Sequence, residues 1–520
     1  MIGLSTRRQP LLILAAALCF TSVGSFSSQT TPVFLPHGRF RITSLTSPSV
    51  LSAAHHTDNN DADSIESSEI SITGKDGVGR LLPITYDLME AGMIGILTGI
   101  LVAAFKLSID FLRDIAYGSD ALSGDMIIVA LIPAMGGVIV GALKELGGRS
   151  FPPGLRGTIE AVDKSSRGPL PDNLVEESVS TQANFFRKSL ASVATLGTGN
   201  SLGPEGPSVE IGMDMARFCV DTLLRPKMQN EDPERRANQA RLLLSCGAAA
   251  GVSAGFNAPI AGVFFALEII QSTFNSIDSD NSDSYDTKKP SLMPNLSSNN
   301  AGISAILIAS VLSELVSATF LGNHLALSLS AYNLKTPLLE LPLYLALGAL
   351  SGCVAFAFSL AAETSRSFFD GKSGPEPVKD FMSGLPESVK PVMGGLFCGF
   401  VGIFLPQVLF FGYETLNSLL AKYSLSTSLI LTLLVTKTLT TAVSAGSGLV
   451  GGTFAPALFL GAMSGAAFHN IILEVFQSIT DSGLIDMQGL VLELADVPAY
   501  AMVGAASVLA SLFRSPLTAS

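Results

Sequence analysis

Between Ile84 and Leu512 the chain is a succession of apolar segments, at 84–112, 126–146, 185–196, 208–223, 241–273, 303–321, 338–362, 389–411, 425–445, 454–476 and 487–512. A helix crossing the hydrocarbon core of a bilayer needs about 20 such residues. Several segments exceed that length and several fall short, so tilted, paired and half-crossing helices are expected together. Lipid offers no partner to backbone polar groups, which leaves only helices and closed barrels as spanning structures. The alternation of a β-barrel strand is missing from these segments. The expected fold class is an all-α polytopic membrane protein. Composition agrees: 48% of residues are hydrophobic and 14% charged, against about a quarter charged in soluble domains, and mean hydropathy is +0.46. The 49 glycines permit close helix contacts and broken helices where backbone lines a cavity.

Charge narrows the partners. Net charge is −12, from 31 basic and 43 acidic residues, and much of the acid lies in polar stretches such as 55–69 and 276–286 rather than in the apolar segments. Membrane lipid is the expected surrounding and nucleic acid is not an expected partner. Cys19, Cys219, Cys246, Cys353 and Cys398 are scattered, without CxxC or Cys/His spacing, and are read as core thiols, with no metal and no cofactor.

Two co-linear internal matches follow. GTGNSLGPEGPSVEIG (197–212) aligns without a gap with GSGLVGGTFAPALFLG (446–461), and CGAAAGVSAGFNAPIAG (246–262) aligns with VGAASVLASLFRSPLTA (503–519). Paired Gly/Pro-interrupted segments of this kind point to a binding site between two inverted halves. The expectation is therefore two antiparallel repeats of tilted and broken helices. In the first half the apolar run continues through AGVFFALEIIQSTF, whereas Ser520 comes four residues after Pro516, so the second repeat is expected to be incomplete. The expected organisation is a signal peptide at 1–25, a transit-like leader at 26–79, a first membrane repeat at 80–276, a polar loop at 277–300 and a second repeat at 301–520. The stretch at 370–386 reads as a surface loop.

Glu205 stands between two Gly/Pro pairs inside this apolar setting. A charge there is costly and usually faces an ion path. Proline at a helix start lacks a donor that would be orphaned anyway, so GPEGPSVEIG and GGTFAPALFLG read as loops opening into helices whose free amides face a common spot. Amides and helix dipole together attract an anion, at about 0.3–1 kcal/mol per exposed dipole and up to roughly 2 when partly buried. Such partial charges hold an anion weakly enough to release it. A carboxylate at Glu205 competes for that position: ionised it blocks, protonated it swings away. The plainer reading of Glu205 is an acid that complements a helix dipole. Glu210 reads as a packing or mouth residue. A Gly-loop nucleotide enzyme is excluded by the missing Lys-Ser/Thr and the lack of a βαβ pattern, and no enzymatic activity is expected.

GNSLGPEGPSVEIG, AAAGVSAGFNAPIAGVFFALE (248–268) and GGTFAPALFLGA (451–462) resemble three signatures of the ClC family of chloride channels and anion/proton exchangers, most similar in form to its plant plastid-type branch. The resemblance covers about residues 84–520. It implies an antiparallel two-fold repeat and a homodimer with one pore per subunit. It further implies Glu205 as the gating glutamate, and Gly203, Pro204, Glu205, Gly206, Thr453 and Phe454 as the anion-binding set for chloride or another small anion. Asn257, Ala258 and Pro259 match a packing motif behind the pore. The family's serine-bearing first signature is not recognisable; its place is PPGLRGTIEA (152–161), with Arg156 and Thr158. Where exchangers carry a second, proton-relaying glutamate, Glu268 is followed by the apolar Ile269, which favours passive conductance over exchange. The family's paired nucleotide-binding modules have no counterpart in this sequence, so nucleotide regulation is not expected from it.

The leader bears on location. Arg7 and Arg8 precede a short apolar run, 10–20, and 26–54 contains no Asp or Glu, the pattern of a signal peptide followed by a transit segment. This resembles the two-part presequence of algae with secondary plastids. The alternative is a secretory-pathway membrane, where the sequon at Asn295 would matter. The expected function is an anion channel gated by Glu205; an anion/proton exchanger and a non-conducting scaffold or fragment remain the alternatives.

Overall fold

The computed structural model describes residues 75–118, 126–146, 151, 154–167, 174–224, 232–274, 300–322, 337–421, 425–481 and 494–519. The signal peptide, all of the leader before Lys75 and the Asn295 sequon lie outside the described residues, as does the 277–300 loop apart from Asn300. Residues Ile84–Ser520 form one compact unit; of the other, Met1–Pro83, only 75–83 are described, as the first turns of a helix.

In the first half the helices are α1 (Lys75–Tyr117), α2 (Met126–Leu146), α3 (Leu155–Arg167), α4 (Leu174–Gly197), α5 (Glu205–Cys219), α6 (Pro233–Phe256) and α7 (Pro259–Phe265). Asn300 opens the rest: α8 (Asn300–Leu321), α9 (Pro337–Phe369), α10 (Glu376–Gly384), α11 (Lys390–Phe404), α12 (Tyr413–Leu420), α13 (Thr427–Gly446), α14 (Phe454–Asp481), α15 (Val497–Phe513) and α16 (Pro516–Ala519). Short π turns extend α5 over Val220–Leu224 and α7 over Ala266–Ile270. Among the described residues, six helices are long and apolar enough to cross a membrane, while Pro259–Phe274, Lys390–Phe404 and Val497–Phe513 are apolar but shorter. The mixture of long and short apolar helices expected from segment lengths is present. Stretch 370–386 is not a plain loop: it holds the short, largely exposed helix α10, with Pro377 in its first turn, where a missing amide hydrogen costs nothing.

The repeat is visible in the backbone. Asn257, which ends α6, and its repeat mate Arg514, which ends α15, are both left-handed, at φ 58° and 53°. A proline two residues later starts α7 in one half and α16 in the other. Where α5 crosses α6, a Cβ on Gly212 would collide with the Gly247 carbonyl; where α14 crosses α15, one on Gly461 would collide with the Gly504 carbonyl. Backbones approach this closely only where small residues meet, the usual device for helix contact where lipid removes the hydrophobic drive. The fold is thus an all-helical pair of inverted repeats.

One buried carboxylate is matched by three donors. Glu340, near the start of α9 and 4% exposed, accepts from the Ala495 amide and from the hydroxyls of Tyr344 and Tyr500, each at 2.9 Å. This ties α9 to the entry of α15. Glu340→Ala would leave three donors without their acceptor, at a cost on the order of 3 kcal/mol. The expected result is a lower Tm in detergent; an unchanged Tm would show that the carboxylate anchors nothing. Cys219, Cys246 and Cys398 are buried thiols, but Cys353 on α9 is exposed. The core assignment fails for it because the apolar face of a membrane helix also faces outward.

Candidate functional site

Two loops meet at the centre of the repeat. One, 198–204, joins α4 to α5; its mate, 447–453, joins α13 to α14. Each opens with a left-handed glycine at the same repeat position, Gly199 and Gly448, both at φ 88°. The loops then pair: Gly203 N–H donates to the Gly452 carbonyl at 2.8 Å and Gly452 N–H to the Gly203 carbonyl at 2.7 Å. These residues are equivalent, so the local two-fold axis passes between them. Side chains reinforce the junction, with Ser201 Oγ 3.0 Å from Thr441 Oγ1 and the Val450 amide donating to Thr195 Oγ1 at 3.2 Å.

The junction brings the starts of α5 and α14 together, Gly206 lying directly against Gly452. Among the described residues, the amides of Glu205, Gly206, Thr453, Phe454 and Ala455 donate to no backbone carbonyl. They are the first-turn donors that any helix leaves over, and here two such turns face each other. The amide of Gly203, named in the expected anion-binding set, is spent on Gly452. Pro204 has no amide hydrogen, so it shapes the turn rather than donating. Glu205, Gly206, Thr453 and Phe454 keep donors to offer.

Glu205 is 1% exposed. Its Oε1 accepts from the Tyr413 hydroxyl. Its Oε2 is fully buried and turned toward the first-turn amides of Glu205 and Ala455, without a fully formed hydrogen bond. The carboxylate therefore occupies the spot that the facing helix starts make favourable for negative charge. One cation is near: Lys106 on α1 donates to the Ala254 carbonyl at 3.2 Å and to that of Gly255, and its field reaches Glu205.

The other half presents an aromatic cluster. Phe454, repeat mate of Glu205, stacks on Phe513 with centroids 3.9 Å apart, and lies 6.0 Å from Phe256 and 5.9 Å from Phe265. Phe256 and Phe513 are themselves repeat mates. Asn257 and Ala258 turn the chain from α6 into α7, both amides reaching back to the Ser253 carbonyl. Ile269 sits half-buried in the π turn after α7, packed on the main apolar core. Its neighbour Glu268 accepts from the amides of Leu517 and Thr518 at 2.9 and 2.8 Å and from the Thr518 hydroxyl at 2.7 Å. Glu210 pairs with Lys188 at 2.8 Å. Thr158 lies in the first turn of α3, and nothing is described of the Arg156 side chain.

Tyr413, Lys106 and the fully buried Lys437 of α13 were not among the sequence candidates. The rule that singles out Glu205, an ionisable group inside an apolar segment, applies equally to both lysines. Tyr413 carries no such signal, since a tyrosine after FFG is ordinary in a membrane segment.

A repeated bundle of broken membrane helices, with two helix starts facing each other across a buried carboxylate, defines an inverted-repeat integral membrane protein. The chain belongs to the voltage gated chloride channel family, whose profile matches residues 172–520. It is 35% identical over 447 residues to chloride channel protein CLC-e of Arabidopsis thaliana, covering 83% of this chain and 55% of that protein. With chloride channel protein CLC-f of the same plant the identity is 31% over 460 residues, covering 85% and 51%. The chain thus spans about half the length of these relatives. Among solved structures, a slow cyanobacterial Cl−/H+ antiporter shares the fold with a TM-score of 0.60 at 21% identity, over 83% of this chain and 87% of that one.

Proposed function

We propose that the chain conducts small anions, chloride first, through the cavity between the starts of α5 and α14, and that Glu205 gates it. The observation that supports this is the placement of the Glu205 carboxylate against leftover amides of both halves: a group of the cargo's own charge occupies the place the cargo would take. Helix-start amides attract an anion without the tight hold of a full charge. Lys106 adds attraction at a short remove, but its ammonium is engaged by two helix-end carbonyls.

Passive conduction is preferred to coupled exchange because Ile269 carries no proton and Glu268 is occupied capping α16. The second reading, an anion/proton exchanger, draws on the cyanobacterial antiporter of like fold. Reversal potential separates them in liposomes holding the purified chain. Under the channel reading it follows the chloride gradient and ignores an imposed pH gradient; a shift with pH at fixed chloride would replace the channel by an exchanger. The homodimer and a plastid membrane belong to the same proposal, the first from the family resemblance and the second from the leader at 1–79.

A further inference from the structure

Residues 408–414 form a strap from the 3-10 turn at Pro406–Val408 to the start of α12, and its last part brings Tyr413 to Glu205. Its course is held from two sides. From within, Lys437 donates to the carbonyls of Val408 at 2.9 Å and Phe410 at 2.8 Å, its ammonium 5.5 Å from the Phe459 ring centroid. From the C-terminal end of α1, the Arg113 guanidinium lies 4.4 Å from the Phe410 ring centroid and pairs with Glu414 at 2.5 Å. Tyr117, one helical turn further on, packs on the same ring at 5.1 Å.

The strap's backbone is bent sharply, with Phe410 at φ 56° and Gly412 at φ 87°. A bulky residue in the left-handed region persists only where its surroundings over-determine it. The Phe410 amide also donates to the Gly199 carbonyl at 3.1 Å, in the loop that leads into Glu205. Glu414 is 79% exposed, while Glu205 is 1% exposed. Contacts thus run from an exposed ion pair to a buried carboxylate through two adjacent residues, Glu414 and Tyr413.

We propose that this strap is a latch on the gate: Tyr413 holds the Glu205 carboxyl in the blocking position, and the Arg113–Glu414 pair, with Lys437, sets how firmly it is held. The proposal rests on the reading of Glu205 as the gate and adds its control. The charged or titratable groups acting on Glu205 are Tyr413 from the strap and Lys106 from α1. Of these, Tyr413 alone sits beside an exposed ion pair.

Chloride flux from liposomes reconstituted with the full chain tests this. Tyr413→Phe keeps the ring and removes the donor; loss of a hydrogen bond to a charged acceptor predicts flux at neutral pH raised on the order of tenfold. Arg113→Glu alone raises it about two- to fivefold, as for an exposed ion pair, and adding Glu414→Arg returns it toward the unaltered chain. In a Glu205→Gln background, Tyr413→Phe adds nothing, because the latch acts only through that carboxyl. Flux from Tyr413→Phe no higher than from the unaltered chain, beside a raised Glu205→Gln, overturns the latch and leaves the gate standing. A full additional increase in the double variant also overturns it, showing a packing effect. If Glu205→Gln itself raises nothing, the gate reading fails and the latch with it. Should Tyr413→Phe not yield monodisperse protein, the Arg113/Glu414 charge swap carries the test, and failure of the swap to restore flux overturns the proposal.

Discussion

Glu205→Gln gives an anion conductance that is high and nearly independent of external pH, where the unaltered chain conducts more as pH falls. The sign follows from competition for one place. Ionised, Glu205 lies against the helix-start amides and accepts from Tyr413, so a permeating anion finds the spot filled by like charge. Protonation removes that charge, the carboxyl leaves, and the amides receive the anion. Glutamine has the same length and no charge at any pH, so the blocking state is no longer populated and the pH dependence goes with it. The effect is large because a full charge is removed from a buried site, where its interactions are little screened. Flux measured across a pH series settles the point: a glutamine variant with the pH response of the unaltered chain would remove Glu205 from the gate.

Gly452→Ala is the second large effect, and it acts on architecture. A Cβ there would lie 2.6 Å from the Gly206 amide nitrogen, 3.0 Å from Gly206 Cα and 3.2 Å from the Gly203 carbonyl oxygen. All three are backbone atoms, with no flexible side chain to give way. The methyl group must part the two helix starts, breaking the Gly203–Gly452 bridge and widening the space in which the Glu205 carboxylate sits. Overpacking a tight interior costs typically 1–3 kcal/mol and occasionally more, and a disrupted pair of buried backbone hydrogen bonds adds to it. The expected outcome is a chain that elutes as aggregate from size exclusion or, where it folds, has lost regulated flux. Gly348→Ala on α9 is the comparison, since a Cβ there meets nothing within 4 Å. Equal Tm and flux for the two variants would mean that the close approach at the axis does not constrain the fold.

Much of the architecture was legible because membrane physics leaves few choices. Apolar length predicts helices, their uneven lengths predict partial crossings, and aligned Gly/Pro motifs predict the duplicated backbone. One further repeat was equally open to view. PAMGG at 133–137 and PVMGG at 391–395 lie where α2 and α11 cross, Gly137 against the Pro391 carbonyl and Gly395 against that of Pro133. The helix α3 was less legible, being short and amphipathic amid longer apolar runs.

At the site, sequence identified the charged competitor but not its holder. Periodicity says which face of a helix is apolar; it does not say that a loop more than two hundred residues away in sequence delivers a tyrosine hydroxyl to a carboxylate. The availability of the Gly203 amide was likewise beyond the sequence, because a glycine in a loop looks the same whether its donor is free or already paired. Lys106 and Lys437 were accessible to the reasoning that found Glu205. Both ammonium groups end on backbone carbonyls, an arrangement that makes a buried cation tolerable.

The bridge between Gly203 and Gly452 has one more consequence. Around that axis the main chain looks alike from either end, so the backbone supplies no sense of direction. In the proposed conduit, any preference for traffic one way must be written in side chains that break the likeness. The sharpest break is at the pair beside the axis, where one half presents the acid Glu205 and the other the phenyl ring of Phe454. Rectification in such a molecule is a property of substitution laid over a symmetric frame, and its smallest unit is a single mismatched pair.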